Sequence, residues 1–324
     1  MLVPQLLGVS AVTFVLIRSL PGDPAIIMLG GMATPETIAA FHKRMGLDRP
    51  LWEQYFLWLR NLLQGDLGIS LYTSHPVMTD LANKAPATLE LIFLALFVAA
   101  LIAIPLAVLA SMKPNSVFDW IARFFGLTAG ALPDFWVGLI FILVFFHYLG
   151  IAPPPIGRMD ILLNTPPRVT GFYTIDTLVA GDIKGFGSAV SHLLLPVLTL
   201  ALVNSGQLLK MTRTIFDDVL GSEFVRHARA CGLPSLTVAK YALRNALPPV
   251  ITLAGVLFTY LLGGAVLVES VYSWGGVGQY AVFSVTQSDF PAMQGFVLLA
   301  AGFTLLVYLV VDLLYFALDP RITY

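Results

Sequence analysis

The chain has 324 residues, of which 57% are hydrophobic and 11% are charged, and its formal net charge is −1. A soluble domain carries roughly 25% charged residues, so the composition excludes an ordinary soluble domain and indicates lipid as the main solvent. The nearly neutral charge argues against a nucleic-acid partner, which requires a basic surface. The single cysteine, Cys231, excludes an intramolecular disulfide and a multi-cysteine metal site.

Six apolar segments predict membrane-spanning helices, because a helix needs about 20 mainly apolar residues to cross a bilayer. Helices are expected because they satisfy their own backbone hydrogen bonds in lipid. The six segments are Leu2–Ile17, Thr88–Met112, Phe124–Leu149, Leu193–Leu209, Val250–Leu267 and Phe296–Leu318. In the fourth segment, the apolar pattern is interrupted in its second half by Asn204, Ser205 and Gln207. The sequence predicts an all-α integral membrane protein with about six transmembrane helices.

The distribution of lysine and arginine predicts the orientation of these spans. Basic residues are dense in the connections Ser111–Arg123 and Lys210–Pro249, and the tail after Leu318 contains Arg321. The connection Val271–Ala292 contains none, and the other basic residues lie in two longer stretches. The pattern therefore predicts a cytoplasmic N-terminus.

The segment 19–87, predicted to be extracytoplasmic, contains two helix patterns. Thr34 is expected to cap a helix that has Pro35 at its first position and ends at Gly46. A second, amphipathic helix follows, with Trp52, Tyr55, Phe56, Leu59, Leu62 and Leu63 at helical spacing. Such a helix lies at the membrane surface or covers the outer mouth of the protein; a packed cap with no further role is the alternative.

Between the fourth and fifth spans, two short helix patterns follow each other closely. Gly221 suits the end of the preceding helix, and Ser222 is expected to cap a helix over Glu223–Cys231. Gly232 ends that helix, and Ser235 is expected to cap the next.

The helix 223–231 is too short to be stable alone, so it needs a partner surface. Helical spacing divides its side chains into one face with Phe224, His227, Ala228 and Cys231 and another with Val225, Arg226 and Arg229. Phe224 offers an apolar anchor, and Arg226 and Arg229 offer charge pairs to an acidic rim. The alternative is a solvated connector whose basic residues set the topology and touch anionic lipid.

These residues resemble a known family. "ARACGL" followed by "ALRNALPPVI" is similar to the coupling loop of the inner-membrane permease subunits of ABC importers, in the form found in the peptide branch. The resemblance extends along essentially the whole chain through "LPGDPA", "MGLDRPLWEQY", "GDLGIS", "PATLEL", "TGFYTIDTL" and "ESVYSWGGVGQY", in the same order. It implies a type I ABC importer permease fold: a first transmembrane helix in 1–18, the long extracytoplasmic segment 19–87, and an ABC type-1 transmembrane domain of five helices in 88–318 that contains the coupling loop 210–249.

The resemblance also implies a mechanism and a set of partners. The helix 223–231 would fit into a groove of a cytoplasmic ATPase subunit, through the residues Glu223, Phe224, Arg226, Ala228, Arg229, Gly232 and Leu233. Expected partners are a second homologous permease subunit, two ATPase subunits, an extracytoplasmic solute-binding protein and membrane lipid in the inner membrane. ATP and Mg would bind to the ATPase subunits, and no cofactor is expected in this chain. The implied cargo is dipeptides or short oligopeptides, with glutathione or nickel as alternatives.

Acidic residues within the spans indicate an alternative class, an ion-coupled secondary transporter, because charged groups in a membrane are costly and often functional. Asp134 follows a proline in the third span and, with Glu269, Gly263 and Gly264, forms the candidate translocation path or gate. Glu90 and Glu269 are expected to reach the interface at the outer ends of their spans. A membrane-embedded enzyme is the other alternative, but the five histidines are scattered without metal spacing, and no catalytic or phosphate-binding motif occurs.

Overall fold

A computed structural model describes residues 2–19, 23, 25–26 and 33–318. Most of the "LPGDPA" motif, residues 20–22 and 24, and Arg321 of the tail lie outside the described residues. Within the described part of the chain there is no β-strand, only an isolated bridge between Ile69 and Pro76. The predicted all-α class is therefore confirmed.

The helices follow the apolar and capping patterns of the sequence. In chain order they are α1 (Leu2–Arg18), α2 (Pro35–Met45), α3 (Leu51–Leu63), α4 (Val77–Met112), α5 (Val117–Ala129), α6 (Asp134–Phe141) with a π-helical continuation (Ile142–Tyr148), α7 (Tyr173–Val179), α8 (Ile183–Leu220), α9 (Glu223–Ala230), α10 (Ser235–Val271), α11 (Val277–Thr286) and α12 (Phe290–Leu318). The chain forms two compact units, one from Met1–Pro86 with Gly275–Leu305 and one from Ala87–Trp274 with Leu306–Tyr324.

Four helices, α4, α8, α10 and α12, are long and apolar enough to cross a membrane. They correspond to the second, fourth, fifth and sixth predicted spans. The third predicted span is broken: α5 and the α6 segment meet at an angle of 102°, and together they provide a fifth crossing if they are counted as one span. The first predicted span is a shorter apolar helix of 17 residues, so the count of six stays a prediction.

Polar residues do not interrupt α8, although they weakened the sequence pattern there. The Asn204 amide donates a hydrogen bond to the Leu200 carbonyl (2.7 Å), and the Ser205 hydroxyl donates one to the Leu202 carbonyl (2.7 Å). Because each side chain bonds back onto the preceding turn, the helix buries these groups without leaving their donors unsatisfied.

The break between α5 and α6 occurs at Pro133. Proline has no N–H to donate and disfavours the helical conformation of the residue before it, so α5 ends at Ala129 and α6 begins at Asp134.

Small residues allow the helices of the second unit to pack closely. Buried alanines recur along one face of α4 and pack with α8, α5 and α10; they are Ala99, Ala103, Ala107 and Ala110. The closest approach is at Gly206 of α8, where an added Cβ would lie 2.7 Å from the Gly130 backbone nitrogen and 3.1 Å from the Ala129 Cβ. Small residues at such crossings are typical of membrane helix pairs.

In the first unit, the predicted helix patterns are confirmed. The Thr34 side chain caps α2, Pro35 is its first residue, and Gly46 ends it with a left-handed backbone (φ 66°). The amphipathic helix α3 packs on α1, where the Tyr55 ring lies 5.5 Å from the Phe14 ring. No structural observation bears on its predicted position at the membrane surface.

The close approach at Gly206 leads to a stability prediction. Gly206→Ala forces backbone atoms of α5 and α8 apart, and overpacking of this kind costs about 1–3 kcal/mol. We expect the purified variant to lose its folded, monodisperse form at a lower temperature than the wild type, measured by size-exclusion chromatography after heating. Gly187→Ala is the matched control, because it lies in the same helix with open space around the added Cβ. Equal melting behaviour of the two variants would contradict the packing assignment.

Candidate functional site

The candidate coupling helix, α9, lies in the loop between α8 and α10 and is fixed at both ends. Gly221 ends α8, as predicted. At the other end the Leu233 N–H donates to the Ala228 carbonyl (3.2 Å), the Gly232 N–H donates to the Arg229 carbonyl (3.0 Å), and Gly232 has φ 75°. This is a Schellman motif, in which glycine tolerates the left-handed conformation that ends the helix.

Two capping predictions for this loop are wrong. Ser222 stands at the N-cap position of α9, but its hydroxyl donates to the Val219 carbonyl behind it rather than accepting from α9. Ser235 is the first helical residue of α10, and Pro234 occupies the N-cap position. The helix itself ends at Ala230 rather than at Cys231.

One face of α9 is anchored in the protein core. Val225 is 1% exposed and packs in a cluster with residues at the end of α8 and the start of α10, namely Phe216, Val238, Ala239, Ala242 and Ala246. Ala228 packs against the same cluster. Val225 and Ala228, three residues apart, therefore form the inward face. A contact of Ala228 with an ATPase subunit stays a prediction.

The other face of α9 is available to a partner. Phe224 and Leu233 expose 44% and 39% of their surface, although both are large hydrophobic residues. Glu223 and Arg226 are exposed and form an ion pair with each other (2.9 Å). Of the predicted contact residues, the structure pairs Glu223 with Arg226 and leaves Phe224 and Leu233 partly exposed.

Arg229 and Leu233, two of the predicted contact residues, border one cavity. Arg229 is the charged one of the two. It is exposed and lines a cavity of about 540 Å³ that lies between α9 and the ends of α4, α8 and α10. Asp217 and Ser111 line the same cavity.

The candidate path residues are only partly brought together. A Cβ on Gly264 would lie 3.6 Å from Asp134 Oδ2, so Asp134, at the start of α6, rests against the α10 backbone. The other oxygen, Oδ1, is buried and has no hydrogen-bond partner among the described residues. Gly263 has open space beside it. The structure thus pairs Asp134 with Gly264 at the break in the third predicted span.

Glu269 and Glu90 do not reach an interface in this unit, so that expectation is wrong. Both are buried, with 0% and 2% exposure. Glu269 accepts a hydrogen bond from the Thr88 hydroxyl (2.5 Å), which joins α10 to α4. Glu90 forms an ion pair with Arg158 (2.5 Å), a residue that the sequence analysis did not select.

Glu90 is the centre of a polar cluster that fixes the loop before α7. It accepts hydrogen bonds from the backbone of Tyr173 and from the backbone and hydroxyl of Thr174. The Arg158 guanidinium also donates to the Gly171 carbonyl (2.9 Å) and stacks 3.8 Å from the centroid of the Tyr173 ring. The cluster connects α4 to a loop about 70 to 80 residues further along the chain.

Asp176 holds the same loop from its other side. Although burial raises the pKa of the Asp176 carboxyl group, hydrogen bonds from the backbone and hydroxyl of Thr170 and from the Gly171 N–H lower it overall. The signal for this cluster was present in the sequence as motifs: "PATLEL" contains Glu90, and "TGFYTIDTL" contains its partners. The spacing of residues along the chain could not show that these two motifs contact each other.

In the described part of the chain, no three His, Cys, Asp or Glu side chains group as metal ligands. The geometry on this chain consists of a fixed surface helix, a broken span with a buried carboxylate, and a polar cluster that ties a loop to α4. Such an arrangement can bind a partner and transmit movement between helices.

The sequence matches two protein families. Residues 103–324 match "Binding-protein-dependent transport system inner membrane component", and residues 2–92 match the N-terminal region of membrane components of the same systems. The first match covers more than half of the chain and includes α9 and both candidate path helices.

Curated relatives match over nearly their full length. A probable D,D-dipeptide transport system permease protein of Escherichia coli is 42% identical over 97% of this chain and 93% of its own. A di/tripeptide transport system permease protein of Pseudomonas aeruginosa is 41% identical over 99% and 96%. An oligopeptide transport system permease protein of Bacillus subtilis is 34% identical over 100% and 97%.

The buried ion pair leads to a double-mutant prediction. Arg158→Met leaves the Glu90 carboxylate buried without its counter-charge, and breaking a buried pair costs about 3–5 kcal/mol. The double variant Glu90→Gln with Arg158→Met removes both charges, so we expect it to be more stable to heat than Arg158→Met alone. Lys184→Met, at an exposed position in the first turn of α8, is the control. Losses that simply add in the double variant would show that the two side chains do not stabilise each other.

Proposed function

The chain belongs to the family of inner membrane components of binding-protein-dependent transport systems, and from that premise we propose how it works. It is a membrane-spanning permease subunit of an ATP-driven importer for dipeptides or short oligopeptides. Its α9 helix couples to a separate ATPase subunit. The observation that carries this proposal is the form of α9: one face is anchored in the core by Val225, and the other is exposed and partly apolar.

The cargo class is supported by the relatives. Proteins named for D,D-dipeptide, di/tripeptide and oligopeptide transport are 34–42% identical to this chain over nearly its whole length. Glutathione and nickel, the alternatives that the sequence left open, are not favoured by these matches.

Coupling follows from how α9 is attached. Val225 and Ala228 pack against the end of α8 and the start of α10, so a force on α9 reaches both long helices. The exposed side chains of Phe224 and Leu233 provide an apolar contact, and Glu223 and Arg226 surround it with charge. Apolar anchors within a charged rim are typical of protein interfaces.

The movement would reach the candidate path through α10. This helix runs from Ser235 beside α9 to Val271 and carries Gly264, which rests against Asp134 at the broken span. A displacement of the start of α10 would therefore reach Asp134. Among the described residues, this is the one whose buried carboxylate oxygen has no hydrogen-bond partner. We assign Asp134, Gly263 and Gly264 to the path or its gate on this basis, and Glu269 to holding α10 against α4.

The proposed assembly places this chain in the inner membrane as a multi-pass subunit with its N-terminus in the cytoplasm. Its partners are a second homologous permease subunit, two cytoplasmic ATPase subunits that bind ATP and Mg, and an extracytoplasmic solute-binding protein. In this orientation α9 lies on the cytoplasmic side, where an ATPase can reach it.

The turn at Gly232 provides the test of coupling. A β-branched residue at φ 75° is strained, so Gly232→Val should misplace the end of α9. We expect the variant complex to assemble but to lose peptide uptake and peptide-stimulated ATP hydrolysis together in proteoliposomes. Gly221→Val is the control, since Gly221 has φ −79° and needs no glycine for its conformation. Normal uptake by the Gly232 variant would refute the coupling role of this turn.

The energy source separates this proposal from an ion-coupled carrier. Proteoliposomes that contain the complex and internal ATP should keep importing peptide after an ionophore collapses the proton and sodium gradients. Removal of ATP with the gradients intact should stop import. The reverse pattern would assign the chain to the ion-coupled class.

A further inference from the structure

A second polar site, which the coupling mechanism does not use, lies between α5 and α8. The two helices enclose a cavity of about 300 Å³. Its wall combines basic and apolar side chains, among them Arg123, Leu127, Leu209, Lys210, Arg213 and Thr214.

A buried carboxylate holds two of the basic groups in place. Asp119 is 1% exposed and accepts hydrogen bonds from Arg123 Nε (3.0 Å) and Nη2 (2.9 Å). Arg213 Nη2 lies 2.7 Å from Asp119 Oδ1, the oxygen that also accepts from Arg123 Nε. Each guanidinium has five N–H donors, so both retain donors for a further acceptor after binding Asp119. Asp119 thus presents two pre-positioned guanidinium groups at one cavity.

The local charge is positive. Lys210 is exposed at the cavity wall, and Asp217 lies 3.6 Å from Arg213 Nε. Three cations, Arg123, Lys210 and Arg213, therefore face the two carboxylates of Asp119 and Asp217, which leaves one formal positive charge. An anionic ligand would neutralise this remaining positive charge.

The apolar part of the wall shows which anion fits. The helices are antiparallel, since Gly126 lies beside Leu209 while Asp119 pairs with Arg213. Arg123 and Arg213 therefore lie toward the Asp119 end of the cavity, and Leu127, one turn after Arg123 on α5, lies toward the other end. Leu127 is 69% exposed, and the neighbouring Phe124 is also exposed. A free inorganic anion would use only the basic end, whereas an amphiphile uses both.

We propose that this cavity binds one anionic glycerophospholipid of the inner leaflet, with its phosphate at Arg123, Lys210 and Arg213 and an acyl chain along Leu127. The assignment to the inner leaflet depends on the orientation proposed above, which puts this end of α5 and α8 on the cytoplasmic side. Basic pockets between membrane helices on that side are suited to anionic head groups, and guanidinium groups bind phosphate with strong, directional hydrogen bonds.

Native mass spectrometry of the intact transporter complex tests the proposal. The complex is exchanged into mixed micelles with equal amounts of phosphatidylglycerol and phosphatidylcholine that carry the same acyl chains. We expect the wild type to retain phosphatidylglycerol preferentially. Lys210→Gln should lower that retention about fivefold, because each basic residue near a lipid head group contributes a modest electrostatic attraction. Leu127→Asp, which puts a carboxylate in the acyl-chain part of the wall, should lower it as well.

Lys240→Gln is the matched control, an exposed lysine of the same predicted cytoplasmic segment outside the cavity, and it should retain the lipid as the wild type does. Equal retention of the two lipids, an unaffected Lys210 variant, or displacement of phosphatidylglycerol by excess inorganic phosphate would each overturn the proposal. Absence of lipid in the wild-type complex would do the same and would indicate that a partner subunit covers the cavity. The measurement uses neither ATP nor peptide, so its failure is distinct from a failure of the proposed transport function.

Discussion

The burial of Val225 is the contact on which the proposed coupling through α9 depends. α9 has eight residues and would be marginal as an isolated helix in water. Removing one valine side chain from water stabilises its position by about 1.5–3 kcal/mol, enough to hold a short helix that is also fixed by turns at both ends. Because Val225 contacts residues from both α8 and α10, α9 cannot move far without displacing one of them.

Close packing between the long helices determines what such a displacement would do. The buried alanines of α4 and the contact of Gly206 with the α5 backbone leave little space at the helix crossings. Packed interfaces of this kind shift between discrete arrangements rather than deform gradually. At the break before Asp134 the helical hydrogen-bond ladder is interrupted and the backbone changes direction by 102°. Rigid crossings and one broken span are consistent with movement of whole helices around the Asp134 region.

Most features set by neighbouring residues could be predicted from the sequence, with the caps at Ser222 and Ser235 as exceptions. Features set by distant residues could not. The cap at Thr34, the helix ends at Gly46 and Gly221, and the turn at Gly232 depend on local conformational preferences, and the structure confirms them. The inward position of Ala228 depends on where α8 and α10 lie. The spacing of residues within α9 gives no information about the positions of those helices. Counting apolar residues also did not locate the break in the third span. That segment is continuously hydrophobic, but its two helices meet at an angle.

The buried acids show the same limit and bear on function. Hydropathy placed Glu90 and Glu269 near the ends of spans, where water could reach them, but each is enclosed by partners from elsewhere in the chain. Three motifs meet there, since the Trp274 indole of "ESVYSWGG" donates to the Ala87 carbonyl of "PATLEL" (3.0 Å) and Glu90 binds "TGFYTIDTL".

These two carboxylates hold the protein's own segments together, so their presence in an apolar chain is explained without an ion cargo. Asp134 is different, because one of its oxygens is buried without a partner among the described residues and the other faces the glycine of a helix that α9 contacts through its start. A carboxylate with an unpaired oxygen, beside the helix that we propose to carry the movement, is a group that an importer of ammonium-bearing peptides can use, whereas the paired acids serve the fold.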